Sequence, residues 1–580
     1  MPTRRSWVQW LGQSSAAIVP LAVVVGALTG LGAVGFRELI TGFTKLFTGF
    51  DDYSAMGRIA SPHWPFLGIW FLLVVPVIAG ALYGPIVHRF APEARGHGVP
   101  EVMYAVAHRN GRIAPRVTLV KAFASALCIG GGGSVGREGP IVQIGSAAGS
   151  TVAQLLRLPT SRVRLLVACG AAAGISATFN APLAGPFFAM ELILRNLAAE
   201  SFGAVLLSSV VADIIGRAIM GDESFLSLPS FAVHSPVEYL LYASLGVLVG
   251  AVGVLFSKVL YLVEDVCDWL WRGPEWARPA VGGLLLGGLL IALPQMYGVG
   301  YPVLEHAVRG DYVIPMLLIL LVGKMVATSL TIGIGGSGGV FAPTLFIGAM
   351  AGSAVGEVAH TLLPTITESA GAYGLIGMGA ALAGATRAPM TAVIILFELT
   401  GQYSIILPLM AAVAMAAGTG HLLSRETIYT AKLWRRGVDL DAPLKDAPTI
   451  VARDVVRPAP PALAEHASLV EAATALAQTP VGMVPTVDAE GTYRGCVTAE
   501  DVAEALNDEA PPSTIRDLIN RPPDLDVEAD STRIIAALSG RGATGVPVLN
   551  AEHTAVIGWI TYEALLTALH PTTSSPRSPG

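Results

Sequence analysis

Gly136-Arg137-Glu138-Gly139-Pro140 opens a stretch that runs to Ser150, and Gly339-Val340-Phe341-Ala342-Pro343 opens one that runs to Ser353. Laid over each other, the two share Gly136/Gly339, Pro140/Pro343, Ile144/Ile347, Gly145/Gly348, Ala148/Ala351, Gly149/Gly352 and Ser150/Ser353. A second pair follows at similar spacing. Ala181-Pro182 precedes Glu191 by the same nine-residue offset from the proline at which Ala388-Pro389 precedes Glu398. Related halves in an apolar chain are the signature of repeat-built membrane transporters, whose substrate sites form where broken helices of both halves meet. The expected fold is an all-α polytopic membrane protein of two inverted repeats, spanning roughly residues 65–225 and 237–437.

Composition supports a membrane setting. Of the 580 residues, 53% are hydrophobic and 13% charged, about half the charged share of a soluble domain. Apolar stretches fall at residues 17–36, 65–86, 239–263, 280–293, 313–330 and 405–417, with a shorter one at 391–396. A bilayer core of about 30 Å needs roughly 20 such residues per helix, so the shorter, glycine-broken stretches read as tilted or re-entrant. Interrupted helices persist at membrane depth only where protein or a water-filled cavity covers the freed backbone. The 65 glycines fit close helix approach.

Charge balance changes near Asp441. From there to the end the chain carries nineteen Asp/Glu and nine Lys/Arg, leaving 23 acidic against 27 basic residues before it. Residues 1–440 are therefore read as the membrane domain and 441–580 as a separate acidic, water-facing domain. Arg4 and Arg5 precede the first apolar stretch, and Lys432, Arg435 and Arg436 follow the last. The positive-inside rule then places both termini in the cytoplasm of a multi-pass cell-membrane protein. Cys128, Cys169, Cys267 and Cys496 have no metal-ligand spacing. The eleven histidines form no ligand pattern, and no nucleophile–base constellation points to an enzyme.

A third phrase, Gly96-His97-Gly98-Val99-Pro100, joins the first two as a Gly/Pro-rich helix start. Helix N-termini present unpaired N–H donors at the positive end of the dipole. Several aimed at one point make an anion site without a full positive charge. A permeating anion must also leave, which suits dipoles better than Lys or Arg. Lys121 and Arg137 lie near in sequence, positioned either to raise the local potential or to pair with acids.

These phrases resemble those of the CLC chloride channels and chloride/proton antiporters. GHGVP at 96–100, GREGP at 136–140, FNAPLAG at 179–185, GVFAP at 339–343 and Tyr429, near the end of the last membrane helix, occur in the family's order. The resemblance implies the CLC fold, chloride as substrate and a homodimer with a pore in each subunit. It makes Glu138 the gating glutamate, whose carboxylate occupies the anion site and leaves when protonated or displaced. It assigns the anion to His97, Gly98, the backbone N–H groups of Val340 and Phe341, and the Tyr429 hydroxyl. No metal, required cofactor or nucleic acid is implied.

Two positions depart from the family. His97 stands where serine is common, which adds an imidazole able to titrate near neutrality and to make conduction depend on internal pH. Leu192 stands where proton-coupled members carry the glutamate that receives the inner proton. Leucine carries no proton, so the reading leans to a passive channel or a weakly coupled transporter, with chloride/proton antiport as the alternative. Glu191, next to it, reads as a structural acid at a helix end, mirrored by Glu398.

The tail reads as a doubled α/β unit at about 448–508 and 513–570 and resembles a tandem pair of CBS domains. In that family a Thr followed three residues later by Asp binds a nucleotide's ribose. Thr498 and Asp501 fit, whereas the second unit has Thr561 with Ala564 at the acid position. The resemblance therefore implies at most one adenine-nucleotide site. A CBS-bearing divalent-cation transporter is the alternative of another class. Cation sites need clustered oxygen ligands, and the membrane half offers only isolated acids.

Overall fold

The computed structural model describes residues 17–221, 235–439, 450–479, 481–508, 511–538 and 545–569. Arg4, Arg5 and positions 225, 448 and 570, which bound the expected segments, lie outside the described residues. The chain divides into two compact units, Met1–Leu440 and Asp441–Gly580.

Among the described residues of the first unit, eight helices are long and apolar enough to cross a membrane. Others are short: Ala184–Leu194, Arg278–Ala292, Ala370–Thr386 and Pro389–Thr400. At 1.5 Å per residue a 15-residue helix extends about 22 Å, less than the hydrocarbon thickness. Two of them match the short stretches at 280–293 and 391–396, whereas the stretch at 405–417 lies within a full-length span, Tyr403–Leu423. The most enclosed spans are Thr160–Phe179 and Phe341–Leu362, with 78% and 83% of their apolar windows buried, against 44% for Ile18–Thr48 and for Glu238–Leu270. The phrases therefore lie at the centre of the unit.

We label six helices that position the site: α1 (Val99–His108), α2 (Glu138–Leu155), α3 (Thr160–Phe179), α4 (Tyr301–Arg309), α5 (Phe341–Leu362) and α6 (Ala370–Thr386). The α2/α3 and α5/α6 pairs are equivalent between repeats, and each crosses at a pair of glycines. A Cβ on Gly145 would lie 2.2 Å from the Gly170 carbonyl oxygen, and one on Gly348 would lie 2.4 Å from that of Gly377. Only glycine permits such approach. Both α3 and α6 end on a left-handed residue, Asn180 (φ 54°) and Arg387 (φ 55°), which turns the chain into the Ala-Pro segments.

Equivalent residues also meet. Gly136 N–H donates to Gly339 O at 2.7 Å and Gly339 N–H to Gly136 O at 2.6 Å, an antiparallel bridge between corresponding positions. Such mutual pairing is what a two-fold relation between the halves produces. The short helices exchange caps in the same way. The Glu398 carboxylate accepts from the N–H groups of Leu183 (2.9 Å) and Ala184 (2.7 Å), and Glu191 accepts from Met390 N–H (3.2 Å), Thr391 N–H (2.9 Å) and Thr391 Oγ1 (2.7 Å). Each acid sits at the positive end of the other repeat's helix.

In the second unit, β1 (Leu463–Ala464) runs parallel to β2 (Met483–Val487), which pairs antiparallel with β3 (Tyr493–Thr498). A second hairpin pairs β4 (Gly545–Leu549) with β5 (Val556–Thr561). Helices 469–477 and 499–506 accompany the first sheet, and 531–538 and 562–569 the second. The leading segments are exchanged. Ile450, Ala452 and Val455 pack into the core with Ile534, Val546 and Ile560, whereas Ile515 packs with Leu469, Val484 and Val497. Sequence alone assigned each leading segment to its own unit; apolar complementarity places it in the other.

Candidate functional site

Three helix starts converge. Gly96 N–H donates to Gly336 O (3.0 Å) and Gly338 N–H to Gly96 O (3.3 Å), tying the loop before α1 to the loop before α5. The Gly136–Gly339 bridge ties the starts of α2 and α5. Gly98 caps α1 at φ +81°, and a Cβ there would lie 2.7 Å from Gly139 O; a Cβ on Gly139 would lie 2.1 Å from His97 O. These two glycines are needed for the approach itself. First-turn N–H groups of three helices thus face a common buried region, the arrangement that binds anions.

A carboxylate occupies it. Glu138 is the first residue of α2 and is 1% exposed. Its Oε1 accepts a hydrogen bond from the Tyr301 hydroxyl, and its Oε2 accepts from Ala342 N–H at 3.4 Å, in the first turn of α5. The Arg137 guanidinium lies 5.2 Å from the Tyr301 ring centroid. Phe341 opens α5 with Val340 as its cap residue, and its ring meets Phe179 at 5.6 Å and Phe188 at 6.3 Å. The carboxylate therefore has donors on one side and apolar rings nearby.

His97 and Tyr429 are brought together, with ring centroids 6.2 Å apart, and both are 1% exposed. Tyr429 lies six residues beyond the last membrane helix, Ile406–Leu423. That helix stops at Leu423, and Tyr429 caps a separate short helix, Thr430–Trp434. The Ser424–Thr427 turn between them swings its ring inward. His97 Nδ1 has no hydrogen-bond partner among the described residues. His97 Nε2 lies 3.5 Å from the Tyr261 hydroxyl, which donates to Ile428 O at 2.6 Å.

Among the described residues Lys121 pairs with no acid. Fully buried, its Nζ donates to Ala94 O (2.9 Å) and Gly96 O (2.8 Å), holding the loop that carries His97. Lys324 does the same in the second repeat, donating to Gly298 O (3.0 Å) and Val299 O (2.8 Å). That loop reads Gly298-Val299-Gly300-Tyr301-Pro302, a second copy of the Gly-x-Gly-x-Pro at 96–100. Sequence reasoning missed this copy, and with it Tyr301. Of the basic residues after the last membrane helix, Arg435 pairs with Asp265 at 2.5 Å, Arg436 with Glu101 at 2.6 Å and Lys432 with Glu264 at 3.7 Å.

Residues 79–421 match the voltage gated chloride channel family, and residues 452–508 match the CBS domain. The chain belongs to the voltage-gated chloride channel family. A ClcB-like protein of Ralstonia nicotianae is 34% identical over 426 residues, 73% of this chain and 98% of that one. The H(+)/Cl(-) exchange transporter ClcA of Vibrio parahaemolyticus is 34% identical over 432 residues, 73% of this chain and 91% of its own length. The crystal structure of a slow cyanobacterial Cl-/H+ antiporter superposes with a TM-score of 0.64 at 28% identity, covering 72% of this chain and 97% of that one. The fold is thus the CLC membrane fold with a C-terminal CBS domain, and the protein is a multi-pass membrane protein of chloride transport.

Within this CLC fold Leu192 lies in a π-helical turn, Ala189–Leu194, and is 6% exposed in the main apolar core. In the tail, Thr498 and Asp501 form a capping box at the start of helix 499–506: Thr498 Oγ1 donates to Asp501 Oδ2 at 2.6 Å and accepts from Asp501 N–H at 3.1 Å. A cleft of about 770 Å³ opens elsewhere, lined by residues 457–463, Gln478, Trp559, Thr561 and Glu563 among others. Thr498 and Asp501 do not line it.

Proposed function

We propose that the protein exchanges chloride for protons, with Glu138 as the group both ions act on. The observation carrying this reading is the Glu138 carboxylate held at the start of α5 by Tyr301 and Ala342. A carboxylate there stands where a permeating anion would bind and competes with it. Protonation removes its charge and its reason to stay, so the same side chain couples anion entry to proton uptake. His97, Gly98, Val340, Phe341 and Tyr429 form the chloride site; the Tyr429 hydroxyl and the helix N–H groups supply its donors. Similarity to ClcA and to the cyanobacterial antiporter supports exchange over simple conduction. Reconstitution tests it: an outward-directed chloride gradient drives protons uphill into vesicles, and chloride flux without proton movement refutes it.

The passive-channel reading keeps one observation in its favour, Leu192 at the position where a glutamate would take the inner proton. In the exchange reading, Leu192 lowers the number of protons moved per chloride and leaves Glu138's external step intact. We also assign the protein to a homodimer with cytoplasmic termini, residues 1–440 to transport and residues 441–580 to a paired CBS module. Thr498 and Asp501 are its candidate ribose contacts. Titration of ATP and AMP into the full-length protein in detergent tests them, and absence of binding at millimolar nucleotide refutes that assignment.

A further inference from the structure

We propose that Tyr301 is the positioning residue of the gate: its hydroxyl holds the Glu138 carboxylate in the anion seat and so sets the external proton and chloride levels at which the gate leaves. This rests on the reading of Glu138 as the gate.

Tyr301 is anchored from three directions. It is the first residue of α4, directly after Gly300, whose φ of +88° turns the chain into the helix. The loop behind it is pinned by Lys324 through the carbonyls of Gly298 and Val299, and Lys324 Nζ itself sits 5.1 Å from the Phe346 ring centroid. A Cβ on Gly300 would lie 3.3 Å from that ring and 3.4 Å from Lys324 Nζ, so the loop has little room to shift. Arg137, next to Glu138 in sequence, faces the aromatic ring. The hydroxyl is delivered to Oε1 by a rigid support.

The equivalent scaffold in the first repeat, built on Lys121, presents Val99 at the position of Tyr301. The valine side chain cannot donate a hydrogen bond, so the side-chain hydroxyl that reaches the carboxylate comes from the second repeat. Tyr301 and Arg137 also line a cavity of about 820 Å³, together with Arg37, Lys45, Asp51 and Tyr297. The residue holding the gate therefore borders an open, partly charged cavity. The charged and titratable groups around Glu138 are Arg137 on its own helix, Tyr301 and Lys324 from the second repeat, and Tyr429. Of these, Tyr301 alone has its side-chain hydroxyl bonded to the carboxylate in this arrangement.

A donor bonded to the carboxylate favours the ionised, seated form. Tyr301→Phe removes the donor and keeps the ring that Arg137 faces. The test measures chloride flux against external pH in vesicles carrying the full-length protein, its Tyr301→Phe and Glu138→Gln variants, and the double variant. For Tyr301→Phe the pH of half-activation moves toward alkaline values by about one unit, the scale of a hydrogen bond to a charged group, and less external chloride is needed at fixed pH. In the Glu138→Gln background, Tyr301→Phe changes neither curve. A Tyr301→Phe curve that overlays the wild type, while Glu138→Gln abolishes pH dependence, overturns the role of Tyr301 alone. An equal shift in the Glu138→Gln background also overturns it, because Tyr301 would then act on the pore rather than the gate. Retained pH dependence in Glu138→Gln overturns the gate reading and this proposal with it.

Discussion

Replacing Glu138 by glutamine isolates what holds the seat. The amide keeps the shape of the side chain and removes its charge. A hydrogen bond to an ionised group contributes about 1.5–3 kcal/mol and one between neutral groups about 0.5–1.5, so the Tyr301 bond weakens by about 1 kcal/mol. The Ala342 bond, at 3.4 Å, contributes at the low end. Loss of a negative charge from the start of α5 removes a further ~0.3–1 kcal/mol. The sum is about 2 kcal/mol, or roughly 30-fold in the competition between side chain and chloride. Calorimetric titration of chloride into the detergent-solubilised protein measures it. Glu138→Gln should bind chloride more tightly, by up to about 30-fold, with an affinity that no longer varies with pH across the carboxylate range. Unchanged affinity, or a pH dependence equal to that of the wild type, refutes the idea that the carboxylate occupies the anion's place.

Leu192→Glu restores an acid at the inner position, and the ratio of protons to chloride should rise in vesicle fluxes; a folded variant with an unchanged ratio would show that this position is not on the proton route. Glu191→Gln and Glu398→Gln each convert two or more charge-assisted caps into neutral ones, costing about 1 kcal/mol apiece; both should lower the thermal unfolding temperature by similar amounts, and an effect confined to one would break the symmetry argument. In the tail, burial pushes the Cys496 thiol up to about 11, so its thiolate fraction at mildly alkaline pH falls roughly two orders of magnitude below that of a free cysteine. Maleimide labelling followed by peptide mass spectrometry should find Cys496 protected in native protein and labelled after denaturation, and equal labelling in both states would contradict its enclosure.

The repeats were legible because glycine and proline at helix starts and crossings cannot be exchanged for larger residues without clashes, so both copies keep them at matched offsets. The convergence of the three phrases followed from the same chemistry. Tyr301 was not legible from Glu138: the two are joined across the two-fold relation, and the signal lay in the second Gly-x-Gly-x-Pro at 298–302, overlooked because both variable positions differ between the copies, His97 from Val299 and Val99 from Tyr301. The role of Lys121 was hidden for a similar reason. A buried lysine's partners are normally sought among acids, and here they are carbonyls of an irregular loop. In the tail, the repeated strand and helix segments pointed to two α/β units, but no local pattern reports that their leading segments change places.

Chloride and protons meet at Glu138 if the exchange reading holds, and the reversal potential of the reconstituted protein tests this most directly. Measured across a bilayer at a fixed chloride gradient while the pH gradient is varied, it should move with the proton gradient in the wild type and become insensitive to it in Glu138→Gln. A wild-type reversal potential that follows the chloride gradient alone would contradict exchange and leave a passive chloride pathway.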